Sequence, residues 1–361
     1  MRKIRSIYSR MLNKKRGGFF QNSFIKALLF CMVLPVITGC VPEKKPDDEI
    51  KIGVCVYDQY DTFLTQLLEC FDNEVNGNEV NGNVSVEYVY ASQNQMTQND
   101  QVEEMIEKGM DVICVNLVDR TAPTTIIDLA RKNNVPIVFF NRELVGEDLM
   151  QWSKLYYVGA DAYESGRLQG ELAADVCKRN RIIIDKNGDG LIQYVVLEGE
   201  AGHQDSIIRT EYSVNTMIDM GIEVEKIGYA IANWNRAQAQ TKMAQLIERN
   251  GDEIEVVLAN NDDMALGAVD AYESAGVPKT ERPAVFGIDG TDVGLKAVAD
   301  GSMRGTVYND KEGQAEAMYK LAIALANNDD PDELGLVDGK YKRLPYTIVD
   351  VRNVDDYLEK K

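Results

Sequence analysis

An oxygen-rich segment occupies residues 185–193, with the sequence Asp-Lys-Asn-Gly-Asp-Gly-Leu-Ile-Gln. Glycine stands at its sixth position, and oxygen-bearing side chains stand at alternate positions: Asp185, Asn187, Asp189 and Gln193. Calcium loops use hard oxygen ligands at this spacing and a glycine where the chain turns sharply. An EF-hand would place a Glu at the twelfth position, which is Val196 here. The segment therefore predicts a calcium loop closed by a carboxylate from elsewhere, and the alternative is a metal-free turn rich in Asp and Asn.

Short apolar runs alternate with amphipathic stretches from residue 49 onward. Strands are predicted at 51–57, 84–90, 111–118 and 135–140, and again at 193–197, 224–230, 255–259, 284–288 and 304–307. Helical patterns such as 101–108 and 124–132 lie between them. Continuous apolar strands separated by helices are typical of parallel sheets covered on both faces. About 310 residues exceed what one hydrophobic core usually serves, so we expect two doubly wound α/β domains with a ligand cleft between them.

Eight short segments with distinctive sequences are spread over nearly the whole chain after residue 48. They are residues 51–54, 118–119, 138–141, 156–159, 199–205, 259–262, 286–289 and 305–310. In these segments the chain resembles the periplasmic galactose/glucose-binding proteins, which have the type I periplasmic-binding-protein fold. The resemblance implies a first lobe of residues 49–159 plus 309–342 and a second lobe of residues 160–308 plus 343–361, joined by a hinge. It also implies that Glu255 closes the calcium site and that the Leu191 carbonyl supplies one ligand.

The same resemblance implies a set of sugar-contacting residues at the strand ends. They are Asp61, Phe63, Asn141, His203, Asp205, Arg209, Trp234, Asn261, Asp289 and Asn309. Phe63 and Trp234 would lie on opposite faces of a pyranose ring, and the polar residues would bind its hydroxyl groups. Taken singly, His203 and Trp234 could be structural, and Asp289 and Asn309 could cap helices.

The N-terminus has the pattern of an export signal. Eight basic residues precede an apolar run at 27–37, too short for a bilayer span of roughly 20 residues, and the run ends in Ile-Thr-Gly-Cys at 37–40. We therefore predict a lipoprotein signal peptide at 1–39, a lipid on Cys40 and a polar tether at 40–48. The alternative is an uncleaved signal anchor in which Cys40 is incidental.

Loss of the predicted leader takes the formal net charge from −19 to about −27, because the leader carries eight basic and no acidic residues. So acidic a protein is unsuited to nucleic acids and is kept soluble and monomeric by its charge. Cys55, Cys114 and Cys177 lie in apolar patterns, so buried free thiols are expected there instead of disulfides.

These features predict an extracytoplasmic lipoprotein, not an enzyme, that captures galactose or glucose and delivers it to the permease of an ABC transporter. A glycoside hydrolase using Asp61, Asp205 and Asp289 is an alternative. Arg209 argues against it, because a neighbouring guanidinium keeps Asp205 ionised and unsuited to proton donation. A LacI-type regulator would need an N-terminal DNA-binding motif, which is absent. A sugar receptor for chemotaxis or a sensor kinase would use the same cleft and stays open.

Overall fold

The computed structural model describes residues 49–77 and 83–359. The predicted signal peptide, Cys40 and the tether lie outside those residues, so lipid attachment remains a prediction. Within the described ranges, no helix combines the length and apolar character needed to cross a bilayer.

The first half of the chain alternates strands with helices, as predicted. Its elements are β1 (Ile50–Val56), α1 (Thr62–Gly77), β2 (Val84–Tyr90), α2 (Gln95–Glu107), β3 (Val112–Val115), α3 (Thr124–Asn133), β4 (Ile137–Phe140), the short α4 (Gly146–Leu149) and β5 (Leu155–Ala160).

The second half repeats this alternation. Its elements are α5 (Ala162–Arg179), the short α6 (Arg181–Ile184), β6 (Ile192–Glu198), α7 (Gln204–Asp219), β7 (Val224–Ile231), α8 (Arg236–Asn250), β8 (Val256–Ala259), α9 (Asp262–Ser274), β9 (Ala284–Phe286), α10 (Asp292–Ala299) and β10 (Gly305–Asn309). The chain ends with α11 (Lys311–Asn327), β11 (Tyr341–Leu344), β12 (Tyr346–Asp350) and α12 (Asp355–Leu358).

Two six-stranded sheets organise these elements. The first has the order β11-β5-β4-β3-β1-β2 and is parallel throughout, and the second has the order β12-β10-β9-β8-β6-β7 with only β12 antiparallel. We call the parts built on them the first lobe and the second lobe. The prediction of two doubly wound α/β domains is confirmed.

Each sheet is buried on both faces, which explains the continuous apolar strands. Along β1, Val54 packs on the side of α1 and α11, whereas the next residue, Cys55, packs on the side of α2 and α3. On the first side Phe71 is fully buried against Tyr319, with ring centroids 6.4 Å apart. Burial of one such side chain stabilises the fold by about 1.5–3 kcal/mol. Burial raises the pKa of the Cys55 thiol to about 12, as expected for an inert core thiol.

The chain crosses between the lobes three times, and all three crossings differ from the predicted boundaries by one or two residues. Ala160 was assigned to the second lobe, but it is the last residue of β5 and pairs with Leu344 in the first sheet. Asn309 was assigned to the first lobe, but it is the last residue of β10 and pairs with Tyr346 in the second sheet. Arg343 was assigned to the second lobe, but it pairs with Gly159 in the first sheet. The position of each crossing is set by the last backbone pair of the strand before it. The pattern of side chains in the sequence does not show where that pairing ends.

Candidate functional site

A cavity lies between the lobes where the carboxyl ends of strands from both sheets meet. Its volume is about 360 Å³, including space open to solvent, and only about 40 Å³ of it can hold the centre of a water-sized sphere, so the cavity is narrow. Its lining residues are Asp61, Phe63, Asn141, Arg142, His203, Asp205, Arg209, Trp234, Asn261 and Asp289. Nine of the ten residues predicted from the sequence therefore converge on one cavity, in the crevice where open α/β sheets bind ligands.

Arg209, on α7, is the buried charge at the centre of this cavity, with 4% of its surface exposed. Its guanidinium donates to the Asn260 carbonyl at 2.8 Å, to the Tyr346 hydroxyl at 3.1 Å and to Ser165 Oγ at 3.2 Å. Burial alone would lower the pKa of Arg209, but nearby Tyr346, Asp289 and Asp205 outweigh burial and raise it. The guanidinium is therefore a permanent positive charge held in one orientation.

Two carboxylates flank that guanidinium. Asp205 Oδ2 lies 3.5 Å from Arg209 Nη2, and Asp289 Oδ1 lies 3.7 Å from Nη1. Burial raises the pKa of Asp289 well above its ordinary value, although Arg209 acts in the opposite direction. Asp289 also has a φ of 113°, a strained value for a residue with a Cβ. Its backbone is held there by hydrogen bonds to Val307 and Asn309 in β10, so the carboxylate position is fixed by the sheet.

His203 caps the first turn of α7 and leaves one ring nitrogen for the cavity. Its Nδ1 accepts a hydrogen bond from the Asp205 backbone N–H at 3.1 Å. Burial lowers the pKa of His203 to about 4, so the ring is neutral near pH 7. Because Nδ1 is an acceptor, the proton lies on Nε2. That N–H is buried and has no partner within the described residues, so it is a donor available to a bound oxygen atom.

The aromatic residues come from opposite lobes, Phe63 from α1 and Trp234 from the loop after β7. Trp234 has a left-handed φ of 60° and meets the His203 ring edge-on, with centroids 5.5 Å apart. It also packs on Gly199, where an added Cβ would lie 2.3 Å from the indole. The absence of a side chain at Gly199 therefore sets the position of Trp234.

Three polar lining residues are also held by hydrogen bonds to residues around them. Asp61 accepts hydrogen bonds from the Leu64 N–H and from the Tyr57 hydroxyl. Asn261 caps α9 through Met264 and donates to the Trp234 carbonyl at 3.2 Å. Asn141 has a left-handed φ of 59°, and its side chain accepts from Asn116. These contacts hold the oxygen-bearing side chains in place before any ligand arrives.

Two residues at the cavity differ from the sequence prediction. Asn309 is 2% exposed and does not belong to the lining, because its side chain accepts a 2.6 Å hydrogen bond from Gln314 of α11. It does not cap that helix either, since Asp310 does. Arg142 was missed, although it follows the predicted residue Asn141 and lines the cavity. The only signal for it was its place directly after a strand-end asparagine.

The predicted calcium loop joins α6 to β6 in the second lobe. Gly190 has a φ of +89°, which agrees with a sharp turn at the sixth position. Glu255, 1% exposed, reaches the loop from the segment before β8, and its carboxylate accepts from the Lys186 N–H at 2.5 Å and the Gln193 N–H at 3.1 Å. Burial raises the pKa of Glu255, and nearby Asp185 raises it further.

The oxygen atoms at this loop form only part of a cation site in their present orientations. Asp185 Oδ1 is buried and finds no hydrogen-bond donor among residues 49–77 and 83–359. Across those ranges, no three Asp, Glu, His or Cys side chains are grouped as a metal site. A cation would therefore need the amide oxygens of Asn187 and Gln193 and the Leu191 carbonyl. Both amides donate to Asp189 here, and a half-turn of each would present oxygen instead.

Comparison with known proteins agrees with this architecture. Residues 52–330 match the periplasmic binding protein domain. The D-galactose/methyl-galactoside binding periplasmic protein MglB of Haemophilus influenzae is 35% identical over 312 residues, which cover 86% of this chain and 92% of that protein. A putative rhizopine-binding protein of Rhizobium meliloti is 30% identical over 273 residues, 75% of this chain and 82% of the relative.

A solved structure leads to the same family. An ABC transporter solute binding protein of Bacillus halodurans with bound myo-inositol has a TM-score of 0.72 and 30% identity, covering 88% of this chain and 99% of that one. The predicted type I periplasmic-binding-protein fold is confirmed, and so is the prediction that the chain is not an enzyme. The chain belongs to the periplasmic binding protein family.

Proposed function

We propose that this protein captures D-galactose or D-glucose in the cavity between its lobes and delivers the sugar to an ABC transporter permease. The observation that carries the proposal is the convergence of nine predicted sugar-contacting residues on that cavity. The 35% identity to a galactose-binding relative over most of both chains supports a hexose. A relative with bound myo-inositol shares the fold. Binding of hexoses must therefore be compared with binding of cyclitols.

The charged groups would supply most of the binding free energy. A pyranose offers hydroxyl groups that both donate and accept, and the cavity offers acceptors on Asp61, Asp205 and Asp289 and donors on Arg209 and His203. Buried hydrogen bonds to charged groups are each worth roughly 1.5–3 kcal/mol. Because Arg209 is already desolvated and oriented by Asn260 and Tyr346, the sugar would not have to order it.

The two aromatic side chains would favour a ligand with a pyranose ring. The two flat faces of a pyranose carry C–H groups, which pack well on aromatic surfaces. Phe63 on the first lobe and Trp234 on the second would lie on opposite faces of that ring, as the resemblance implies. Both faces are satisfied only when the lobes meet, so the stacking would favour the closed arrangement.

The calcium site is a further part of the proposal. Asp185, Asn187, Asp189, the Leu191 carbonyl, Gln193 and Glu255 would hold Ca²⁺, which prefers such oxygen donors. The buried, unpartnered oxygen of Asp185 beside buried Glu255 supports it, because two carboxylates at one buried place are stabilised by a cation. The role would be structural, fixing the α6–β6 loop against β8.

The protein would be attached to the membrane near its mature N-terminus. A lipid on Cys40 followed by the polar tether at 40–48 would keep the protein at the membrane that holds the permease. The acidic surface, with a formal charge of −19 before and about −27 after loss of the leader, would keep the lobes monomeric and soluble.

Calorimetric titration tests the sugar assignment. Protein without its lipid is titrated with galactose, glucose, ribose, xylose and myo-inositol, and we expect one of the two hexoses to bind most tightly. Asp205→Ala removes one of the two carboxylates beside Arg209 and leaves sugar hydroxyls without their acceptor, so it should cost about 2 kcal/mol, roughly a thirtyfold rise in Kd. Asp219→Ala, an exposed change at the far end of the same helix, is the matched control. Tight hexose binding that survives Asp205→Ala would place the sugar elsewhere.

A further inference from the structure

One ion pair bridges the two lobes beside the cavity. Arg142 follows β4 in the first lobe, and its Nη2 lies 3.0 Å from Glu200 Oε2, which follows β6 in the second lobe. The Arg142 side chain is 5% exposed and the Glu200 side chain 46% exposed. Arg142 lines the cavity, whereas Glu200 does not.

Arg142 is held in place entirely by its own lobe. Its guanidinium stacks on the Tyr57 ring at 3.7 Å and donates to the Val118 carbonyl at 2.9 Å. These contacts orient the guanidinium whether or not Glu200 is near, so forming the pair costs Arg142 little rotamer freedom. The Glu200 side chain stays 46% exposed in the pair and keeps much of its hydration, so the contact adds attraction at a modest desolvation cost.

We propose that the Arg142–Glu200 pair is a latch that stabilises the closed arrangement and slows sugar release. The inference rests on the proposed function and adds two residues that control closure. The pair forms only when the lobes are together, so it contributes differential free energy between the open and closed states. Since a cleft ligand binds through the closed state, its apparent affinity scales with the population of that state.

Other contacts between the lobes are weaker as ion pairs or join neutral partners. Lys311 Nζ of α11 lies 3.9 Å from Asp292 Oδ1 of α10, a longer separation than the 3.0 Å of the latch pair. Two others are hydrogen bonds. Thr62 Oγ1 donates to Asp263 Oδ2 at 2.6 Å, and the Asp292 N–H donates to Gln66 Oε1 at 3.3 Å. Each joins a neutral partner to its acceptor. The Arg142–Glu200 pair joins opposite charges, and one of them is half exposed. Its strength should therefore depend on ionic strength, because salt screens exposed charges.

The test uses Glu200→Gln, which removes the charge with almost no change of shape and leaves every cavity-lining residue intact. The rates of galactose and glucose binding and release are measured by stopped-flow fluorescence. We expect the release rate to rise roughly three- to tenfold, with an unchanged association rate. Raising the salt concentration should speed release from the unmodified protein and have little effect on the variant.

Glu171→Gln is the matched control. It removes the same charge from the second lobe, in an ion pair with Arg167 that lies wholly within α5. A double-mutant cycle with Arg142→Gln then isolates the pair, because Arg142 could also touch sugar directly. If Glu200→Gln adds nothing in the Arg142→Gln background, the two residues act together.

The outcomes separate the latch from the proposed function. If the unmodified protein binds neither hexose, the proposed function fails and the latch fails with it. If it binds hexose and Glu200→Gln releases sugar at the unmodified rate, only the latch is overturned. Equal effects of Glu200→Gln and Glu171→Gln would likewise overturn the latch, since they would reflect net charge alone. Thermal melting of each variant confirms that it is folded.

Discussion

At the scale of single residues, the cavity depends on groups whose protonation and orientation are set before a ligand arrives. Arg209 is fixed as a cation by its carbonyl, hydroxyl and carboxylate neighbours. His203 is fixed as a neutral donor, because its Nδ1 caps α7. Oriented groups lose little entropy on binding, so their hydrogen bonds contribute more of their strength to affinity.

His203 should make folding sensitive to acid. Burial places its folded-state pKa at about 4, below the ordinary histidine value of about 6.5, so between these values the unfolded chain binds the extra proton. The free energy of unfolding should therefore fall as the pH drops from 6.5 toward 4, by on the order of 2 kcal/mol. In His203→Asn the cap is kept and this titration is lost. Denaturant unfolding from pH 7 to pH 4 measures both proteins, and parallel curves would refute the assignment.

Gly199 should be as important for sugar binding as the residues that line the cavity. Gly199→Ala places a Cβ 2.3 Å from the Trp234 ring, so the indole must move. We expect hexose affinity to fall at least roughly tenfold, an effect of more than about 1.4 kcal/mol. Gly77→Ala, where an added Cβ meets nothing within 4 Å, is the control. Unchanged titration curves for Gly199→Ala would show that Trp234 is not part of the site.

At the scale of elements, the calcium loop should stabilise the second lobe. Mass action gives about 2.7 kcal/mol when free calcium is one hundred times its Kd, enough to move the melting temperature by several degrees. A chelator should lower the melting temperature of the unmodified protein, and Glu255→Gln should lose this response. Glu223→Gln, an exposed change close to the loop, should keep it. Identical melting of metal-stripped protein with and without calcium would exclude the site.

The elements themselves could be predicted where a run of strand-forming residues is bounded by polar residues. The strands at 84–90 and 224–230 were predicted to within a residue, because their flanks change sharply in polarity. β3 ends at Val115, although the apolar run continues to 118, because the Asn116 side chain takes over the bonding to Phe140. α2 begins at Gln95 through its Asn94 cap, six residues before its apolar pattern.

The site could be predicted through strand ends, and its misses have one physical cause. Asn309 and Arg142 both stand at or just after a strand end, yet only Asn309 was predicted to contact sugar and only Arg142 lines the cavity. Asn309 is buried in a hydrogen bond from Gln314, whereas Arg142 stacks on Tyr57. Such orientations depend on partners distant in sequence or on another element, which a local pattern does not contain.

At the scale of the whole molecule, the proposed lipid on Cys40 would determine where the protein is located. If Cys40 carries the lipid, Cys40→Ser should move the protein from the membrane fraction to the soluble fraction, since acyl chains contribute about 0.8 kcal/mol for each buried CH₂ group. Fractionation without detergent and immunoblotting measure the distribution. Retention of the variant in washed membranes would place the attachment elsewhere in the chain.

Closure around the sugar is the motion that the two-lobed arrangement permits, because only three crossings join the sheets. Addition of galactose or glucose should lower the radius of gyration in small-angle scattering and change the tryptophan emission. The chain has two tryptophans, and Trp152 lies in the first-lobe core cluster, away from the cavity. Trp234→Phe should therefore keep the compaction, because Phe preserves part of the stacking, and lose the emission change. Asp205→Ala should weaken both the compaction and the emission change at a given sugar concentration. The variant binds sugar less tightly, so less of the protein is in the sugar-bound, closed state. An emission change that persists in Trp234→Phe would mean that the sugar acts near Trp152, outside the cavity between the lobes.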